Sequence, residues 1–355
     1  MYGAILGDMI GAPYEFDRGD KTKDFPLFSK DSVFTDDSVL TVAVAEALMD
    51  ARIEGTEGDE AEVKRLLAHS MHFWADAYPN AGYGLGFLDW LSDPDMGPYC
   101  SCGNGSAMRV SSAGWLYDDL ETTRKMARWT AEISHNHPEG IKGAEAIASA
   151  IFLARSGASK MVIKVYIERE FGYNLSRSCD EIRPSYYHVE TCQQTVPEAI
   201  TAFLEGKNFE DVICTAVSLG GDADTLTCIA GSIAEAYYGV PQKLKEECRK
   251  RLNEDMLTVI DQFWEIVAPN QIDELLKTTI RIFGALCPVC GKTLLEDSGK
   301  ICIFCGWQHD SIKEKDPDFA YVPDELTLNQ YKKEYESGWI PEHIKRLRKE
   351  YEGRI

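Results

Sequence analysis

Two acidic clusters, Thr35-Asp36-Asp37-Ser38 and Gly220-Gly221-Asp222-Ala223-Asp224-Thr225, stand far apart in the chain, and each runs directly into small apolar residues at helical spacing. A helix N-terminus bears a partial positive charge, so carboxylates are locally favoured there. Four carboxylates gathered at one point nevertheless repel one another, and an oxygen-rich site of this kind suits a hard divalent ion such as magnesium or manganese. Asp222 and Asp224 would point roughly 200° apart on a regular helix, so they converge only from a turn. Gly220-Gly221 gives the backbone freedom for that turn, and Thr225 adds a neutral oxygen. One Asp before a helix is ordinarily an N-cap. Two matching clusters favour a shared metal site, and hence a fold that brings two distant helix N-termini together.

Helical patterns recur at residues 39–48, 143–154 and 226–238, with many Ala and Gly that allow close helix packing despite a cost of roughly 1 kcal/mol per helical Gly. Strand signals are few, chiefly residues 161–166. The expected fold is all-α, with a large domain at 1–268, a connector helix at 269–286 and a small domain at 287–355. Irregular stretches at 17–33, 78–109 and 175–194 are long for a compact domain and are expected to build the site.

The net charge of -21 argues against nucleic acid as the main partner, because phosphates are met by Lys and Arg. Residues 287–355 hold 13 acidic and 11 basic residues, which leaves nearly all the excess, 45 against 26, in the large domain. An acidic surface serves solubility first. No segment reaches the apolar length of a membrane span, and the first residues, broken by Asp8, do not read as a signal peptide. Of the 11 cysteines, four fall into Cys-x-x-Cys pairs and the rest are scattered, which fits a reducing, cytoplasmic setting better than a disulfide framework.

Those pairs, Cys287-Pro-Val-Cys290 and Cys302-Ile-Phe-Cys305, are separated by eleven residues. Four thiolates from two tight knuckles make a closed tetrahedral zinc site, with a folding rather than a catalytic role. The basic run at residues 343–349 is read as a solvated amphipathic helix.

Gly3-Ala-Ile-Leu-Gly-Asp8-Met-Ile-Gly-Ala-Pro-Tyr-Glu15, Phe34-Thr35-Asp36-Asp37-Ser38, Gly103-Asn104-Gly105-Ser106-Ala107-Met108-Arg109, Ser134-His135-Asn136-His137-Pro138 and the Gly220–Thr225 cluster occur in the order found in ADP-ribosylglycohydrolases. Over about residues 1–268 the chain resembles that family, which includes the dinitrogenase-reductase-activating and ADP-ribosylarginine hydrolases. The resemblance implies an all-helical domain, two magnesium or manganese ions held by Thr35, Asp36, Asp37, Asp222, Asp224 and Thr225, and acid/base roles for Asp37 and Glu15. It also implies contact of ADP-ribose with Gly103, Asn104, Gly105, Ser106, Met108 and His135, the small residues exposing backbone N–H groups that can cradle a diphosphate. Asp8 stays open between a site role and closure of a Gly-rich helix start, and His137 is read as structural. Ser38 departs from the Thr of many members, and the pattern does not demand Cys100 or Cys102, which are read as inert buried thiols. Gly82-Tyr-Gly-Leu-Gly86 lacks a preceding strand and is not a dinucleotide fingerprint. The tail resembles the cysteine-rich CPCC domain through its two knuckles, Asp316-Pro-Asp318-Phe and Leu326-Thr-Leu-Asn329.

The implied activity is hydrolysis of an ADP-ribosyl bond, with ADP-ribosylarginine on protein as the leading substrate. Serine-linked, nucleic-acid-linked or free ADP-ribosyl species are the alternatives within catalysis. A noncatalytic ADP-ribose binder is the alternative outside it, and retention of all six implied ligands argues against that reading.

Overall fold

The structure is a computed structural model that describes residues 1–93, 95–267, 285–286, 294–295, 307, 318 and 326–338. Helices dominate it. In chain order they are α1 (Tyr2–Gly11), α2 (Asp36–Ile53), α3 (Glu60–Ala77), α4 (Leu85–Ser92), α5 (Gly105–Met108), α6 (Ala113–Leu116), α7 (Leu120–Glu132), α8 (Pro138–Arg155), α9 (Lys160–Phe171), α10 (Cys179–Ile182), α11 (Cys192–Glu205), α12 (Phe209–Val217), α13 (Ala223–Tyr238), α14 (Gln242–Arg249) and α15 (Glu254–Ile266). Many start where the local sequence says they should. Asp59, Asp119, Ser159 and Asn208 each accept a backbone N–H from the first turn of the following helix, a cap worth about 1 kcal/mol.

At the centre lies α1, whose ten residues are all buried, packed along α13. The contact is set by glycine. Gly3, Gly7 and Gly11 form one stripe at four-residue spacing, and a Cβ at these positions would stand 2.2, 2.2 and 2.4 Å from the carbonyl oxygens of Gly231, Thr227 and Ala223. The helices therefore run antiparallel with their backbones touching, a separation that only residues without a side chain permit. Glu235, buried at the far end of α13, accepts the Gly3 N–H at 2.9 Å and satisfies a donor at the start of α1. Around this pair, α8, α11 and α12 pack on α13, and α2 joins α1 to α3.

The strand-like residues 161–166 lie inside α9. Ser159 caps that helix through the Val162 N–H at 3.3 Å, Gly172 ends it at φ +67°, and Val162, Ile163, Tyr166 and Ile167 form its buried face. Capping and burial outweigh the weak helix propensity of its β-branched residues. Of the three irregular stretches, 17–33 contains no helix, 78–109 contains α4 and α5, and 175–194 contains α10.

In the tail, β1 (Ala285–Leu286) pairs antiparallel with β2 (Leu294–Leu295), so the last two residues of the expected connector helix are extended. The rest of that connector, the zinc cysteines Cys287, Cys290, Cys302 and Cys305, and the basic run 343–349 lie outside the described residues. Helix α16 (Leu328–Glu336) starts from a capping box between Thr327 and Gln330. Trp307 meets Tyr331 edge-on at 5.2 Å, and Asn329 donates to Asp318 at 2.9 Å. Among the described residues no helix is long and apolar enough to cross a membrane.

Candidate active site and metal centre

The N-termini of α2 and α13 open into one cleft of about 530 Å³. Glu15, Asp36, Asp37, Asp222, Asp224, Thr225, Gly103, Asn104, Gly105, Met108 and His135 all line it. Glu15, Asp222 and Asp224 each offer a carboxylate oxygen, and these oxygens lie within 4.8 Å of one another. Thr225 Oγ1 donates to Asp37 Oδ2 at 3.1 Å, while Asp37 Oδ1 is buried without a hydrogen-bond partner. Asp222 stands at the N-cap position of α13 yet makes no capping bond, and its carboxylate accepts from Asn104 Nδ2 at 2.5 Å instead. The cap of α2 is Thr35, whose hydroxyl accepts the Asp37 N–H at 3.4 Å. Neither Asp36 nor Asp222 is thus occupied in capping its helix.

Thr35 and Ser106 stand behind the cleft wall rather than on it. Thr35 Oγ1 donates to Asp8 Oδ1 at 2.8 Å, and Ser106 Oγ donates to Gly140 O at 2.8 Å at the start of α8. Asp8 does not close a helix start. It sits mid-α1, fully buried, and also accepts from Thr35 N at 2.9 Å and from the Ser38 N–H at 3.1 Å and hydroxyl. One carboxylate thereby fixes the first turn of α2, and Ser38 supplies a hydroxyl to that network.

Glu15 follows a short 3-10 turn (Ala12–Tyr14) that continues α1. Phe16 and Asp17 then take left-handed backbone, φ +59° and +56°, which is uncommon for non-glycine residues. Asp17 accepts from the Gly221 N–H at 2.8 Å and the His188 N–H at 3.0 Å. These bonds tie the Glu15 segment to the Gly220-Gly221 turn, where both glycines have positive φ, and to the loop that carries Glu190.

The crowding has an electrostatic consequence. Burial pushes Asp8 and Asp222 up to about 6, and burial with the Asp224 charge pushes Glu15 up to about 7. Asp36, Asp37 and Asp224 are raised well above the usual carboxylate range by burial and then by neighbouring carboxylates, Asp224 acting on Asp36 and Asp37 and Asp222 acting on Asp224. Buried like charges lacking a cation resist ionisation together. An all-oxygen donor set with an orphaned carboxylate oxygen fits hard divalent ions, which would remove that conflict.

Beside the carboxylates lies the Gly103–Ser106 loop. Its Asn104 is held by Glu190 O, which accepts the Asn104 N–H at 2.8 Å, and its side chain also reaches Thr195 Oγ1 at 3.1 Å. His135 is buried against the loop, its Nδ1 2.8 Å from Ser134 Oγ. A Cβ at Gly105 or Gly103 would lie 3.1 or 3.3 Å from His135 Nε2, so glycine keeps that nitrogen open to the cleft. His137 Nδ1 accepts the Glu139 N–H at 3.1 Å and caps α8. Cys192 is buried under the loop, whereas Cys100 is exposed and Cys102 partly so, which corrects the expectation of buried thiols at 100 and 102.

The opposite wall is aromatic and apolar: Tyr83, Leu85, Phe87 and Tyr99, with Phe16 at the mouth stacked on His188 at 4.6 Å. The 82–86 segment, no nucleotide fingerprint, is nonetheless part of this wall. Arg109, Ser134, Asp17 and Glu190 are site residues to which the motifs gave no role. Arg109 closes the Gly-Asn-Gly-Ser-Ala-Met motif, and that adjacency was the available signal.

Compared with known proteins, residues 1–274 match ADP-ribosylglycohydrolase, and residues 285–349 match Cysteine-rich CPCC. ADP-ribosylhydrolase ARH3 of Gallus gallus is 25% identical over 330 residues, covering 69% of this chain and 87% of its own length. ADP-ribosylarginine hydrolase Tri1 of Pseudomonas putida (strain GB-1) is 25% identical over 266 residues, covering 68% and 70%. A solved structure described as an ADP-ribosylglycohydrolase-related protein complex superposes with a TM-score of 0.50 at 22% identity, covering 78% of this chain and 95% of that one, and shows the same fold.

Proposed function

This chain belongs to the ADP-ribosylglycohydrolase family, and from that premise we propose that it is a metal-dependent hydrolase that frees ADP-ribose from a modified acceptor. The observation that carries the reading is the gathering of Glu15, Asp222 and Asp224 oxygens within 4.8 Å, in one cleft with Asp36, Asp37, the Gly103–Ser106 loop and His135. Asp36, Asp37, Asp222, Asp224 and Thr225 are the proposed ligands of two magnesium or manganese ions, and Thr35, whose hydroxyl bonds Asp8 and the Asp37 N–H behind the wall, is proposed to position them and not to ligate. Bound there, such ions supply Lewis acidity and positive charge at the sugar. The protein's part is positioning. Gly105 and His135 present N–H donors to the diphosphate, the Gly103 N–H being donated to Ser101 Oγ at 3.0 Å, and the aromatic wall takes the flat apolar end of the ligand. Glu15 and Asp37 are the carboxylates placed to orient the attacking water and to deliver a proton to the departing group as the anomeric bond breaks.

For the acceptor, we propose ADP-ribosylated arginine on protein. Glu15 and the exposed Glu190 make the mouth acidic, which suits a departing guanidinium, and the relative from Pseudomonas putida is named as an ADP-ribosylarginine hydrolase. Another linkage, serine-linked conjugates among them, forms the second reading, since the ARH3 relatives are named as ADP-ribosylhydrolases without an acceptor. The tail is proposed to hold one structural zinc through its four knuckle cysteines.

The test is a panel of arginine-, serine- and nucleic-acid-linked ADP-ribose, assayed with magnesium or manganese and after chelation. Release from the arginine adduct is expected, lost on chelation and reduced at least a hundredfold in Asp37→Ala. Asp36→Asn and Asp224→Asn should each lower bound metal measured by mass spectrometry. Unchanged metal content in both would sink the ligand assignment, and cleavage of other linkages without the arginine one would overturn the acceptor.

A further inference from the structure

Arg109 is fully buried beneath the cleft, and among the described residues it forms no ion pair, the Asp36 charge acting on it without a direct contact. Its Nη2 donates to Ser134 Oγ at 2.7 Å and to Thr130 O at 3.1 Å, while Nε and Nη1 find no partner. The guanidinium lies 5.9 Å over the Phe87 ring. A buried cation without a counter-ion is costly, and it stands next to a histidine whose open nitrogen faces the ligand loop.

We propose that Arg109 and Ser134 are positioning residues that hold His135 as the neutral Nε2-protonated tautomer, so that Nε2–H donates to an anionic group of the ligand lying over Gly103 and Gly105. The proposal rests on the ADP-ribose reading of the cleft and assigns the donor within it.

The argument is one of hydrogen-bond direction. A guanidinium has donors only, so Ser134 Oγ must accept from Arg109. The serine has one hydrogen of its own, and among the described residues its only other partner is His135 Nδ1, at 2.8 Å. That hydrogen goes to Nδ1, which is therefore an acceptor and carries no proton. In a neutral ring the proton then sits on Nε2. Charging the ring would turn Nδ1 into a second donor to the Ser134 hydroxyl, whose own hydrogen would then have no acceptor among the described residues. Burial and the Arg109 charge both oppose this, holding the imidazole pKa well below its usual value. Arg109 itself, although burial lowers it to about 10, stays cationic near neutral pH. Its positive field is directed at the same space as the Nε2–H, and an anion placed there would answer the missing counter-charge.

Nitrogen-15 spectra of the full chain labelled at histidine, with the His135 signals assigned by their loss in His135→Gln, read the tautomer directly before any ligand is added. The expected wild-type spectrum shows Nδ1 unprotonated and Nε2 protonated. Ser134→Ala should give a mixture of tautomers, weaken ADP-ribose binding by about tenfold, the scale of one well-oriented hydrogen bond, and place its kinetic loss mainly in KM. Ser134→Thr, which keeps the hydroxyl, should restore both readouts, and Arg109→Gln should weaken binding further than Ser134→Ala. A protonated Nδ1 in the wild type, or a Ser134→Ala protein with unchanged tautomer and unchanged affinity, would overturn the proposal. Absence of ADP-ribose binding in the wild type and every variant alike would instead bring down the ADP-ribose reading itself, and the ligand role of His135 with it.

Discussion

Asp8 illustrates how much of this site is built from behind. Its carboxylate takes hydrogen bonds from two backbone N–H groups and two hydroxyls of the Thr35–Ser38 turn, so it sets the direction in which Asp36 and Asp37 leave the helix. Replacing it by Ala leaves those donors buried and unpaired, which costs on the order of 2–4 kcal/mol. Asp8→Ala is expected to lower the urea midpoint accordingly and to reduce metal content, although Asp8 itself does not line the cleft. Wild-type metal content in a variant that is measurably destabilised would show that Asp8 supports the fold and not the ligand geometry. The paired aspartates were legible in the sequence because their chemistry is local: like charges two residues apart after Gly-Gly ask for a cation. Asp8 was not, since its partners lie 27 and 30 residues away and only the fold says which hydroxyls it meets. Ser106 shows the same limit. Its hydroxyl donates to the Gly140 carbonyl, 34 residues away, a partner that the motif itself does not name.

At the level of elements, the α1–α13 contact decides where Glu15 and the Asp222–Asp224 turn meet. Small residues at helical spacing were readable in both segments, as was the all-helical class. Their pairing was not, because a Gly-x-x-x-Gly-x-x-x-Gly stripe on one helix does not name the helix it faces. Two of the three long loops, 78–109 and 175–194, line the cleft as their length suggested, and they carry short helices, α4 and α5 in one and α10 in the other, whereas 17–33 contributes no lining residue. Gly7→Ala puts a methyl 2.2 Å from the Thr227 carbonyl oxygen, an overlap that neither backbone can relieve without separating the helices. The expected loss is about 3 kcal/mol or more, read as a drop in Tm with reduced metal retention. Gly58→Ala, with nothing within 4 Å of the new methyl, should change stability by less than about 0.5 kcal/mol. Equal melting of the two variants would mean that the glycine stripe does not set the helix separation.

Across the whole molecule the two family matches divide the chain's work unevenly. Every residue of the cleft lies between Glu15 and Thr225, and nearly all of the excess negative charge lies in residues 1–286, which include that region. The residues matching the cysteine-rich family begin at 285, and the described part of the tail is held by local contacts of its own: a two-residue strand pair, a capping box and the Trp307–Tyr331 ring contact. A set of four cysteine ligands leaves no open coordination position for a substrate, so the zinc proposed there would act through folding. If the tail is a separate folding unit, its loss should not reach the carboxylates. Cys290→Ser in the full chain is therefore expected to release one zinc per chain, measured with a chromogenic chelator, and to remove the tail's tryptophan fluorescence signature. Hydrolysis of a small ADP-ribosyl substrate should stay within about twofold of wild type. A protein substrate is the sharper comparison, because a drop confined to it would assign the tail to target recognition. Loss of small-substrate hydrolysis with the helical domain still folded, judged by its circular dichroism and its metal content, would show instead that the tail helps to build the cleft.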